Sequence, residues 1–177
     1  MKMNTLLSLA IGITLSTSSS AFELTSTDIT EGQKMAKTFE FSGFGCEGDN
    51  LSPQLSWDNA PEGTKSFAVT AYDPDAPTGS GWWHWLGFNI PVETSSLKRG
   101  QDMARLGAVE LTSDYGSIGF GGACPPKGHG MHRYQFTVWA LPVDKLELDN
   151  SVSAAILGYT LNSMAIGKAQ LTATYNR

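Results

Sequence analysis

The chain has 177 residues, with 12 lysines and arginines against 17 aspartates and glutamates, for a formal net charge of −5 and a sequence pI near 5.1. That acidic balance argues against DNA, RNA or an anionic membrane surface as a partner, because each of these rewards a clustered basic patch. The length suits one domain core, and no Pro/Gly/Ser-rich linker, charge block, internal repeat or low-complexity tract divides the chain beyond its first 21 residues.

Those first 21 residues read as an export signal. Lys2 supplies a positive start, Leu6 to Leu15 an apolar stretch, and Ser19-Ser20-Ala21 a small-residue cleavage site, so Phe22 is expected to begin the mature chain. The apolar stretch is shorter than the roughly 20 residues of a permanent span, and no cysteine stands at the cleavage point to carry a lipid. No stable membrane anchor is therefore expected. What remains is one domain over 22–177, with 11 basic against 17 acidic residues, periplasmic or secreted.

In such a compartment Cys46 and Cys124 are expected to form one disulfide, since bridges form and persist there. Each sits in a glycine-rich segment, Gly43-Phe44-Gly45-Cys46 and Gly121-Gly122-Ala123-Cys124, so the bridge would pin two loops. A reactive or metal-binding thiol pair is the alternative, and the missing CxxC spacing argues against it.

The elements that follow are mostly strands. Ser66 to Tyr72 places Phe67, Val69 and Ala71 on one face. Trp82 to Ile90 is an aromatic-rich run in which alternation groups His84 with Trp82, Leu86 and Phe88. Tyr134 to Leu141 has the same character. Asn150 or Ser151 can cap a helix running to about Ala165, with Val152, Ile156, Tyr159 and Met164 at roughly helical spacing and Gly167 as its stop. Ala169, Leu171, Ala173 and Tyr175 then alternate with Lys168, Gln170, Thr172 and Thr174, a last strand with one wet face. The fold class expected is mainly β, a two-sheet antiparallel β-sandwich with peripheral helices.

Chemistry concentrates in three distant segments. In Tyr72-Asp73-Pro74-Asp75-Ala76-Pro77 each proline holds its predecessor extended, so Asp73 leaves a strand end in a fixed direction. In Trp82-Trp83-His84-Trp85 the histidine is half buried among aromatics. In Cys124-Pro125-Pro126-Lys127-Gly128-His129-Gly130-Met131-His132-Arg133-Tyr134 alternation aims His132 and Tyr134 to one side and Arg133 to the other. The flexible glycines around His129 give no reason to aim it inward. Taken singly, each segment also reads as ordinary structure. Together, two imidazoles, a directed carboxylate and a phenol could serve a phosphate or carboxylate site.

Asp73-Pro74-Asp75-Ala76-Pro77, Trp83-His84-Trp85 and Pro125-Pro126-Lys127-Gly128 with Gly130-Met131-His132-Arg133-Tyr134 resemble, in order and spacing, the signature segments of the phosphatidylethanolamine-binding, or Raf kinase inhibitor-like, proteins. Asn50-Leu51-Ser52-Pro53 and Gly79-Ser80-Gly81-Trp82 resemble the bacterial branch, and the cysteine loops its exported members. The resemblance implies a surface cavity for small phosphate-like anions, lined by Asp73, His84, His132 and Tyr134, with Pro77 and Pro126 at the rim and Asp75 in the same motif. It also implies a cis Ala76–Pro77 bond. The function expected is a non-enzymatic binding or regulatory protein of the bacterial envelope. It would take a small anionic or phosphorylated ligand, with a protein partner as a further option, and neither cofactor nor metal. The alternatives are an inhibitor of secreted hydrolases or proteases, and a small acid-base or metal-dependent hydrolase using Asp73, His84 and His132. GxSxG and HExxH motifs are lacking.

Overall fold

Alternating apolar runs between glycine- and proline-rich turns give ten strands and one α-helix in the computed structural model, which describes residues 20–177. The expected export signal lies outside the described residues, apart from its last two positions. In chain order the strands are β1 (Glu23–Thr25), β2 (Ser42–Gly43), β3 (Cys46–Glu47), β4 (Leu55–Asp58), β5 (Ser66–Asp73), β6 (Trp82–Pro91), β7 (Ser96–Leu97), β8 (Val109–Glu110) and β9 (His132–Leu141). Helix α1 (Ala154–Met164) and strand β10 (Gly167–Tyr175) complete the chain.

A five-stranded antiparallel sheet, ordered β10-β9-β5-β6-β8, faces a three-stranded sheet ordered β1-β4-β7. Between them lies the larger core. Phe67, Val69 and Ala71 of β5, Phe136, Val138 and Ala140 of β9, and Ala169, Ala173 and Tyr175 of β10 pack against Leu24, Leu55, Trp57 and Leu97. The opposite parity of the large sheet, Ala68, Leu86, Phe88, Trp139 and Leu141, packs under α1 through Leu157 and Leu161. Strand β5 lies between both cores, and all its residues from Ser66 to Ala71 are buried. Among the described residues the fold is mainly β with a single α-helix, the class the sequence predicts.

The helix differs from its expected form in cap and in face. Ser153, not Asn150 or Ser151, caps it, accepting from the Ile156 N–H at 3.3 Å, because Ser151 is held by Asp149 in a local turn. Leu157 and Leu161 form the buried stripe, one turn apart, while Ile156, Tyr159 and Met164 are exposed. Along the outer edge of β10 runs the segment 31–35. Gly32 and Met35 N–H groups donate to Thr172 and Thr174 carbonyls, the Thr174 N–H donates to Gln33 O, and Glu31 takes the Thr172 N–H.

Candidate functional site

Antiparallel pairing brings the C-terminal end of β5 beside the N-terminal ends of β6 and β9, so Asp73, His84, His132 and Tyr134 meet at one end of the large sheet. There they border a cavity of about 270 Å³. Asp73, His84 and His132 are at most 3% exposed, so each needs a hydrogen-bond partner inside the protein.

His84 reaches the cavity through a bulge. Tyr72 pairs with Trp83 and Ala71 with Trp85, leaving His84 as the extra residue on β6. Alternation breaks there. Trp83, Leu86 and Phe88 pack toward the helix, whereas the His84 ring sits 5.0 Å from that of Tyr134, so the expected grouping of His84 with Leu86 and Phe88 fails. Its anchor is Gly121, whose N–H donates to His84 O at 2.8 Å and whose carbonyl accepts from His84 Nδ1 at 2.7 Å. Close approach needs glycine, because a Cβ on Gly121 would stand 2.3 Å from the Tyr115 ring and one on Gly122 2.4 Å from Phe39 O. Burial pushes the His84 imidazole below its usual range, against the Gly121 hydrogen bond and the field of Asp73. A neutral ring with its proton on Nδ1 keeps an acceptor lone pair on Nε2.

His132 stands in a chain of three side chains. Its Nδ1 lies 2.7 Å from Asp73 Oδ2, and its Nε2 lies 2.7 Å from His129 Nδ1. Asp73 Oδ1 in turn accepts the Asp75 N–H at 2.8 Å. His129, which the sequence gives no reason to aim inward, thus reaches His132, although it is not among the residues lining the cavity. Glycines on both sides, with φ of 75° and 96°, let the exposed loop turn back so that its ring docks edge-on against His132.

The walls are apolar. Ala76, Pro77 and Thr78 come from the β5–β6 connection, Cys124, Pro125 and Pro126 from the loop before β9, and Trp82, Tyr115 and Phe44 supply aromatic faces. Cys46 and Cys124 form a disulfide that joins the Phe44 hairpin to the proline loop. Arg177 spans the same two loops, donating from Nε to Pro125 O and from Nη1 to Gly45 O. Two lining residues carry buried polar atoms with no partner among the described residues, Tyr134 Oη and Trp82 Nε1. Burial also drives the Tyr134 and Tyr115 phenols well above their ordinary range, so both stay protonated donors.

Six of the seven residues expected at the site, Asp73, Pro77, His84, Pro126, His132 and Tyr134, line the cavity, and Asp75 does not. Asp75 turns outward to a two-point pair with Arg133, Oδ2 to Nε at 2.9 Å and Oδ1 to Nη2 at 2.7 Å, and accepts the Arg133 N–H as well. This fixes the start of β9, and so the position of His132. The guanidinium fork holds the Asp75 carboxyl down, at about 2. A carboxyl lowered in the folded state adds stability that is present above its ordinary range and lost as pH falls toward 2. Asp75→Asn is expected to lower stability at pH 6 by about 1 kcal/mol, allowing for screening at the exposed Arg133, and by almost nothing near pH 2. Urea melts at the two pH values check this.

The Ala76–Pro77 bond, expected cis, is trans, as is every described peptide. The Thr78 N–H donates to Ala76 O at 2.8 Å across Pro77, a three-residue turn whose central φ the proline ring supplies without isomerising. Sequence reasoning also missed Phe44 and Tyr115 in the lining, and the contact of His129 with His132. Phe44 had a signal, since bridging Cys46 to Cys124 carries it to the proline loop. Tyr115 had none.

Comparison with known proteins agrees with this fold. The family model for phosphatidylethanolamine-binding proteins matches residues 25–176. The UPF0098 protein YbcL of Escherichia coli K12 is 51% identical over 168 residues, covering 92% of each chain, and its crystal structure superposes with a TM-score of 0.85 over 89% of this chain and 99% of that one. YbhB of the same organism is 43% identical over 87% of this chain and 99% of its own. LppC of Mycobacterium tuberculosis, named as a lipoprotein, is 34% identical over 75% of this chain and 63% of its own. The chain belongs to the phosphatidylethanolamine-binding protein family.

Proposed function

We propose that the protein is a non-enzymatic binding protein of the bacterial envelope, whose cavity takes a small ligand with an oxyanion head and an apolar body. The observation carrying this reading is the pair of partnerless buried donors, Tyr134 O–H and Trp82 N–H, in a cavity otherwise walled by proline and aromatic carbon. A buried donor without an acceptor costs about 1–3 kcal/mol, which an oxyanion would relieve. A hydrogen phosphate adds a P–O–H that the His84 Nε2 lone pair could accept. Chemistry finds little support, because the lining nucleophiles are committed: the Cys124 sulfur is in the disulfide and the Thr78 hydroxyl donates to Gly81 O. Export is supported by the disulfide, the signal-like residues 1–21 and the lipoprotein name of LppC. No helix among the described residues is long and apolar enough to cross a membrane.

Calorimetric titration with phenyl phosphate tests the reading, with phenol and inorganic phosphate as partial probes. Phenyl phosphate is expected to bind more tightly than either and to be recovered unhydrolysed. Tyr134→Phe should weaken it by about 1–2 kcal/mol. Equal affinity for phenol, no loss in Tyr134→Phe, or release of inorganic phosphate counts against the proposal.

A further inference from the structure

We propose that His129 and His132 act as a shared-proton clasp, so that an oxyanion entering the cavity draws one proton from water onto the pair, with His129 as the port. This rests on the oxyanion reading above. Two ring nitrogens 2.7 Å apart, His129 Nδ1 and His132 Nε2, require a proton between them, since two lone pairs at that separation repel. His132 Nδ1 already directs its proton to Asp73 Oδ2. With both rings neutral, His129 Nδ1–H must be the donor and His132 Nε2 the acceptor, so His132 has no N–H left for the cavity.

One added proton leaves that geometry as it is and supplies positive charge instead. Taken up at Nε2 of the exposed His129, it makes the pair a cation in which the shared proton can sit on His132 Nε2, beside the ligand. His132 itself is 2% exposed, and His129 gives its buried ring a hydrogen-bonded route to solvent.

The surroundings explain why that charge is needed. From β5 the Asp73 carboxylate faces the pair, and an anion in the same cavity is repelled by it. His84 on β6 is kept neutral by burial, and Tyr115, Tyr134 and the cross-strand partner Tyr175 are phenols raised above their ordinary range. The fixed cations nearby are elsewhere engaged or turned away. Arg133 is paired with Asp75, Arg177 holds the carbonyls of Gly45 and Pro125, and Lys127 is exposed outside the lining. Among the described residues, no lysine or arginine lines the cavity. The loop is also set for the contact, with the Gly128 N–H on Arg177 O and the His129 N–H on Pro126 O.

The test is phenyl phosphate titration at pH 7.5 in buffers of different ionisation enthalpy, which counts protons taken up per ligand bound. Titration of the ligand's own phosphate is common to every variant and drops out of the comparison. Wild type is expected to take up about one proton more than His129→Gln, whose amide can still donate to His132 but cannot carry charge. His129→Ala should match His129→Gln, and Lys127→Gln should match wild type. All three substitutions lie on the exposed loop and are expected to leave the fold intact. Equal uptake in wild type and His129→Gln overturns the clasp while the binding reading survives, and so does an equal loss in Lys127→Gln. Absence of phenyl phosphate binding in wild type overturns both.

Discussion

Replacing Cys46 and Cys124 together by serine is expected to lower the unfolding free energy by about 4 kcal/mol, the chain-entropy value for a loop this long. The bridge spans 78 positions and ties a hairpin of two-residue strands to a segment with no regular ladder. For a domain of this size the melting temperature should fall by roughly 10 °C. Folding should survive, because neither core cluster contains either cysteine and Arg177 still joins the two loops. Binding should weaken too. Phe44 is 71% exposed and has a positive φ, and besides the hairpin itself it is held by stacking on Tyr115 and Phe41. Calorimetric melting with and without phenyl phosphate checks both effects, and a fall of under about 3 °C would show that the loops are held without the bridge.

Asp73→Ala is expected to have the other large effect, about 3 kcal/mol in stability together with loss of most ligand affinity. The carboxylate serves two donors at once, the buried His132 Nδ1–H and the part-buried Asp75 N–H; stranding the first costs about 1–3 kcal/mol and the second adds less. Asp73→Asn should be milder. Its amide keeps one oxygen, enough for one donor, and presents N–H to the other, so it should lie about halfway between wild type and alanine in urea melts. Affinity should still drop, because His132 loses the partner that fixes its proton on Nδ1. If Asp73→Ala binds phenyl phosphate as wild type does, the Asp73–His132 pair has no part in recognition.

Much of this was legible in the sequence because proline, alternation and cysteine each carry a local rule. The alternation of β10 from Lys168 to Tyr175 and the inward aim of His132 and Tyr134 follow from period two alone. The rule fails at His84, where the bulge shifts the parity of β6, a shift set by the partner strand and by the reach of the Gly121 carbonyl. Helix α1 misled for a related reason. Ile156 is as apolar as Leu157 and Leu161, and only the position of the sheet decides which stripe is buried. Asp75 was placed in the lining wrongly and the His129–His132 contact went unseen because the partners, Arg133 and His132, are chosen by turn geometry that neither glycine nor proline content specifies.

The strip of chain along the outer edge of β10 bears on how the protein survives at high concentration. A bare terminal strand is a template onto which a second molecule can add its own, the route to stacked aggregates. Here residues 31–35 already occupy that position, and the opposite border, β8, is only two residues long. A sheet closed with a piece of its own chain offers no such template to a neighbouring molecule. Deleting residues 31–35 should therefore leave the cavity in place and turn a well-behaved protein into one that precipitates.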